Sequence, residues 1–295
     1  MKKAVVSFVA VMSLFGSIGL FIRNINLASS QIALIRAILG SAFLVAVSLI
    51  GKRPFSWKAI KPNLLLLIIS GAAIGFNWMF LFEAYRYTSI ANATLSYYFA
   101  PVFVILLSTP VLKEKLSLSK IVSVVVALLG MALIVGNGQS LVQTTNFVGI
   151  AYGLLAAMLY ASVILMNKFI KGLSGLESTV MQLGTAALVL LPYVVSKGEI
   201  TFADLELRSM LLLLVVGVLH TGFAYLIYFS ALKVLSGQTI AVLSYIDPLS
   251  AILFSSVFLR EHLSMKQLIG GILILGATFS SEYCSAKNAT WVSRS

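Results

Sequence analysis

Residues 75–117 read GFNWMFLFEAYRYTSIANATLSYYFAPVFVILLSTPVLKEKLS, and residues 222–264 read GFAYLIYFSALKVLSGQTIAVLSYIDPLSAILFSSVFLREHLS. The two overlay without a gap at an offset of 147, matching Gly75 with Gly222, Phe76 with Phe223, Phe82 with Phe229, Ala84 with Ala231 and Ser89 with Ser236. The matches continue through Tyr98 with Tyr245, Pro101 with Pro248, Ser108 with Ser255, Leu112 with Leu259, Glu114 with Glu261 and Leu116 with Leu263. Self-similarity at a fixed offset marks a duplicated structural unit. A weaker overlay of Phe15 on Tyr160 and Arg23 on Lys168 extends the unit toward the N-terminus.

The medium in which this unit folds follows from composition. Of 295 residues, 60% are hydrophobic and 10% charged, against about 45–50% and about 25% in soluble domains. A water-soluble fold is excluded. With about 20 apolar residues needed per membrane-crossing helix, the apolar runs give ten spans: 4–22, 31–50, 64–85, 93–112, 118–136, 147–167, 176–195, 209–231, 237–259 and 265–283. The first run follows Lys2 and Lys3 as in a secretory signal, but no small-residue cleavage motif ends it, so it reads as a retained helix.

The expected fold is an all-α integral membrane protein of ten transmembrane helices in two five-helix repeats, 1–145 and 146–285, with a short tail over 286–295. Five is odd, so the second copy enters the membrane from the opposite side. Inverted-topology repeats are the architecture of secondary transporters, whose halves exchange conformations around a central site. Duplication kept for stability in a membrane enzyme or scaffold is the alternative.

The net charge of +12 is a matter of topology rather than of an acidic partner such as nucleic acid. With the N-terminus inside, fourteen Lys and Arg fall in cytoplasmic segments, six in outer ones, and Arg36 lies within a span. The positive-inside bias then places both termini in the cytoplasm and the chain in the cytoplasmic membrane. One cysteine, Cys284, leaves no internal disulfide to form.

The stretch Glu83-Ala84-Tyr85-Arg86-Tyr87-Thr88-Ser89 through Pro101 to Leu112-Lys113-Glu114-Lys115-Leu116, with its second copy Ala231-Leu232-Lys233 through Pro248 to Leu259-Arg260-Glu261-His262-Leu263, resembles the EamA-type members of the drug/metabolite transporter superfamily. Arg36 sits where such proteins often carry an arginine in their second helix. In this family the residue before the helix-end glutamate is usually glycine, whereas here it is Lys113 or Arg260. The resemblance implies ten helices, two inverted repeats and a central cavity between helices one, three, four, six, eight and nine. It also implies export of a small metabolite, the family being similar across exporters of amino acids, sugars, amines and drugs.

Within the spans, ionisable side chains are costly in hydrocarbon, which makes each a functional candidate. They are Arg36, Glu83, His220 and Asp247. Asp247 precedes Pro248, whose missing N–H leaves a carbonyl unpaired one turn back. It is read as a cation or proton site, or as a partner of Arg36 or His220. Its repeat mate is Ala100, so the acid is not a requirement of the shared scaffold. His220 has an ordinary pKa near neutrality and could relay protons to Asp247, or simply be hydrogen-bonded. Arg36 could snorkel or hold a substrate carboxylate with its planar fork. Glu83 reaches toward interfacial water or Arg86.

The aromatics Trp78, Tyr98, Tyr225 and Tyr245, with Asn77 at similar depth, could hold an aromatic side chain or an ammonium group. Aromatic belts at the membrane interface are the other explanation. Pro101 and Pro248 are hinge candidates, or static kinks. Asn77, Trp78, Tyr98, His220, Tyr225, Tyr245, Asp247 and Arg36 are therefore the expected binding residues, with Asp247, His220, Glu83, Pro101 and Pro248 for coupling and gating. Gly71-xxx-Gly75 and Gly149-xxx-Gly153 permit close helix contact. No phosphate loop and no metal-ligand spacing is present, so neither cofactor nor metal is expected.

The expected function is secondary transport of a small organic metabolite, an amino acid or amine, by alternating access. The proton is the candidate coupling ion, the lipid bilayer the surrounding partner, and the chain a monomer or homodimer. Import of a quaternary ammonium or polyamine, and a multipass membrane enzyme using His220 and Asp247, are the rivals.

Overall fold

The computed structural model describes residues 2–52, 55–112, 118–135, 142–198, 206–232, 243, 246–261 and 263–292. All regular structure among them is helical, as an apolar medium demands, because backbone groups there find no water and must pair within their own segment. Six helical stretches are long and apolar enough to cross a membrane: Lys3–Arg23, Ser29–Ile50, Trp57–Tyr87, Thr145–Asn167, Gly175–Ser196 and Leu207–Tyr228. Shorter apolar helices include Ile246–Leu259 and Met265–Ala277.

In chain order the first elements are α1 (Lys2–Gly16), α2 (Ile18–Arg23), α3 (Ser29–Ile50), α4 (Trp57–Ile60), a 3-10 turn Lys61–Asn63, and α5 (Leu64–Tyr87). There follow α6 (Ile90–Tyr97), α7 (Ala100–Leu112), α8 (Leu118–Val135), α9 (Val142–Asn167) and α10 (Gly175–Ser196). The last are α11 (Leu207–Leu214), a π-helical segment Val215–Phe223, α12 (Ala224–Leu232), α13 (Ile246–Leu259) and α14 (Met265–Val292).

Two expected spans are interrupted. The segment read as one helix over 93–112 starts earlier, at Ile90, and breaks at Tyr98 and Phe99 before α7 resumes. A proline at position 101 accounts for the place of the break, because it has no N–H to give the carbonyl four residues earlier, that of Tyr97. Helix eight holds a π-helical turn, which no apolar periodicity announces. Pro248, expected inside a span over 237–259, lies in the first turn of α13, the part of a helix that tolerates proline best.

Packing proceeds in pairs. α5 packs on α9 and α10, α3 on α10 and the π segment, α6 on α9 and α13, α1 on α12 and α13, and α8 on α14. Glycines set the closest approaches. Gly75 faces Leu190 and Gly222 faces Phe43, and both the glycines and their partners are 147 residues apart. Gly149 and Gly153 meet Thr88 and Ser96.

Start signals also recur. The Gln31 side chain accepts from the Ala28 N–H at 2.8 Å at the head of α3, and Glu177 accepts from the Ser174 N–H at 2.9 Å at the head of α10. The Asn63 amide donates to the Lys171 carbonyl at 2.8 Å and accepts from its N–H at 3.2 Å. On the opposite face the Asn26 N–H donates to Ser209 Oγ at 3.3 Å.

Gly71 gives a direct test of this packing. A Cβ there would stand 2.5 Å from the backbone carbonyl of Gln182, which cannot rotate away. Gly71→Ala is expected to cost about 1–3 kcal/mol, read as a lowered Tm in detergent. Gly184→Ala, with nothing within 4 Å of the added methyl, is expected to leave Tm unchanged or raise it, since alanine is the better helix former.

Candidate functional site

Arg36, in the N-terminal half of α3, is only 5% exposed. Its Nε donates to Thr221 Oγ1 at 2.6 Å, and the guanidinium carbon lies 4.0 Å from the centre of the Trp78 ring. Thr221 Oγ1 in turn donates to the Val216 carbonyl at 2.9 Å, five residues back. The π segment makes this possible, because its wider turn lets a hydroxyl reach the i−5 carbonyl and still face α3. Cation–ring contact compensates part of the charge burial. Among the described residues Nε is the guanidinium nitrogen with a hydrogen-bond partner; the two terminal amino groups of the fork have none.

A carboxylate lies in the same interior. Asp247, at the head of α13, accepts a hydrogen bond from the Tyr98 hydroxyl through Oδ2, while Oδ1 has no partner among the described residues. Tyr98 reaches α13 from the break between α6 and α7. Placement in the first turn of α13 also sets the carboxylate near the positive end of that helix. The one ion pair among the described residues is Arg23 with Glu261. Arg36 and Asp247 are therefore not paired with each other. Tyr85, Tyr97 and Tyr225 lie within electrostatic range of both charges.

His220 is fully buried but does not meet Asp247 directly. Its Nε2 is 3.0 Å from Ser17 Oγ, its Nδ1 is 3.3 Å from the Val215 carbonyl, and Phe21 stacks edge-on at 4.8 Å. A direct relay between His220 and Asp247 is absent among the described residues, and Asp247 uses neither Arg36 nor His220 as its partner. Asn77 donates to the Ala156 carbonyl of α9 at 2.6 Å, beside the Tyr97 ring. Glu83 is half-buried on α5 and joins neither charge, and Arg86 donates to the Leu27 carbonyl rather than to Glu83. Tyr245 lies outside the described residues. Pro101 belongs to α7 and Pro248 is buried in α13.

The structure thus brings together Arg36, Trp78, Tyr98, Tyr225 and Asp247, and sets His220 and Asn77 at the margin. Sequence reading did not single out Tyr85, Ser17 or Thr221 as site residues, and Tyr97 is not among the expected binding residues either. For Tyr97 a signal existed, since it adjoins Tyr98 one turn before Pro101. Ser17 sits in an unbroken apolar run and offers none.

Comparison with known proteins bears on this geometry. A model described as the EamA-like transporter family matches the chain twice, over residues 2–136 and 147–281. The chain is 33% identical over 272 residues to an uncharacterized transporter, YxxF, of Bacillus subtilis (strain 168), covering 92% of this chain and 86% of that protein. It is 31% identical over 253 residues to protein PecM of Dickeya dadantii (strain 3937), covering 83% and 80%. A crystal structure superposes with a TM-score of 0.65 over 95% of both chains at 18% identity, a likeness of fold alone.

Proposed function

The chain belongs to the EamA-like transporter family, and we propose that it is a secondary active transporter exporting an amino acid, or a related amine, by alternating access across the cytoplasmic membrane. The observation that carries the substrate class is that, among the described residues, two opposite charges share one interior without neutralising each other. Among those residues Arg36 keeps its bidentate fork open, and Asp247 keeps one oxygen open. A zwitterion fills both, its carboxylate on the fork and its ammonium on the carboxylate. Trp78 and the surrounding tyrosines offer aromatic surface to an apolar side chain.

The ten-helix inverted repeat is part of the same proposal. The family model matches twice. Exchanging helices one to five with six to ten also maps the packing pairs onto one another: α5 on α9 becomes the helix-eight segment on α1, and α10 on α5 becomes α3 on the π segment. The recurring start signals, and the two glycine contacts, obey the same exchange. The excess of Lys and Arg on the N-terminal side orients both ends inward.

Import of an organic cation is favoured by Asp247 among tyrosines, but Arg36 in the same interior repels such a cargo. A ligand series decides between them: an amino acid, its decarboxylated amine and its N-acylated acid, compared by thermal shift of the purified protein. The zwitterion is expected to bind at least a hundredfold more tightly than either singly charged analogue. Ligand at 100 times its Kd should add about 2.7 kcal/mol of stability. Equal binding of the amine would hand the site to the cation reading. Recovery of the same solute, chemically unchanged, after vectorial movement into proteoliposomes would exclude the enzyme.

A further inference from the structure

The single ion pair among the described residues stands apart from the binding site and joins three elements. Glu261, just past the end of α13, accepts through Oε1 from Arg23 at the end of α2 and from the Ile90 N–H at the head of α6, the latter at 3.2 Å. Its other oxygen, Oε2, is buried with no partner among the described residues. Arg260 turns the chain into this position with φ of 53°, in the left-handed region that a non-glycine residue rarely adopts. The Glu261 N–H closes the turn on the Ser255 carbonyl at 3.4 Å.

α6 and α13 are antiparallel and in contact, and α13 holds α6 at both ends with a carboxylate. Asp247 at its head takes the Tyr98 hydroxyl just past the end of α6, and Glu261 beyond its tail takes the Ile90 N–H at the start. One of these bonds lies in the proposed substrate site. The other lies on the opposite side of the membrane from the N-terminal lysines. A half-satisfied buried carboxylate, shared by one oxygen among two donors, is a contact that holds a closed face without locking it.

We propose that Glu261 is the latch of the outer gate: its bonds to Arg23 and Ile90 hold the α6–α13 pair against α2, and they must part for the site to open outward. The proposal rests on the transport reading. The α6–α13 pair is then the moving part, linked to the site through Tyr98 and Asp247, so that cargo taking Asp247 from Tyr98 loosens the same pair that the latch holds.

The test needs no substrate. In a Cys284→Ser background, a cysteine at Ser250, buried on α13 against Gly16, is labelled with a membrane-impermeant maleimide in right-side-out and in inverted vesicles. Glu261→Gln is expected to speed labelling at least tenfold from the Glu261 face and not from the other. Arg23→Gln, which removes one of the two donors from a half-exposed position, is expected to give a smaller acceleration of the same sidedness. Rates unchanged in both variants, or raised equally from both faces, would overturn the latch. If Glu261→Gln does not fold, Arg23→Gln decides alone. One-sided acceleration in a chain that moves no solute would leave the latch standing and remove the transport reading.

Discussion

Arg36→Gln is expected to lower binding and transport of an amino acid at least a hundredfold while leaving the protein folded. The fork of Arg36 can place two charge-assisted hydrogen bonds on a substrate carboxylate, each worth about 1.5–3 kcal/mol, so losing both exceeds a factor of 100 at about 1.4 kcal/mol per tenfold. Stability moves little because two effects oppose. Removing a buried cation that has no ion-pair partner among the described residues relieves its desolvation, and losing the stack at 4.0 Å on Trp78 works in the opposite direction. Arg36→Lys separates recognition from charge alone. Lysine keeps the positive charge but has no planar fork, so it is expected to recover no more than a small part of the lost affinity. Wild-type binding in Arg36→Gln, measured by thermal shift and by uptake into proteoliposomes, would reduce Arg36 to a packing residue.

The fold was legible wherever its cause was local or repeated. The apolar runs located the helices, and residues 75–117 against 222–264 exposed the duplication, because a repeat imposes the same glycine, proline and acidic positions twice. Asp247 was legible for the opposite reason: it breaks that symmetry where helix four has Ala100. What stayed hidden depended on contacts across the two copies. Tyr98 and Asp247 are 149 residues apart, and no period within either helix makes them neighbours. The π segment was equally invisible, since no residue of VVGVLHTGF marks a wider turn. Without that turn, Thr221 is one more polar residue beside His220. With it, Thr221 holds Arg36 and His220 points toward Ser17 and Phe21, so the expected relay from His220 to Asp247 has no direct geometry.

Asp247→Asn is the sharper of the two substitutions, because it is nearly isosteric and keeps an acceptor for Tyr98. The variant is expected to fold, to lose amino-acid and amine binding at least a hundredfold, and to lose any pH dependence of transport. An ammonium about 4 Å from a carboxylate gains roughly 4 kcal/mol at an effective dielectric of about 20, and the neutral amide offers only its dipole. Tyr98→Phe completes a cycle. Removing the hydroxyl keeps the carboxyl group in place with both oxygens free for the ammonium, so binding is expected to fall less than in Asp247→Asn, and in the double variant Tyr98→Phe adds nothing to the loss. Had the Tyr98 bond been the purpose of Asp247, the two single substitutions would cost the same. Retained pH-driven transport in Asp247→Asn would move proton coupling elsewhere, and His220, fully buried and held by Ser17, is then the next group to substitute.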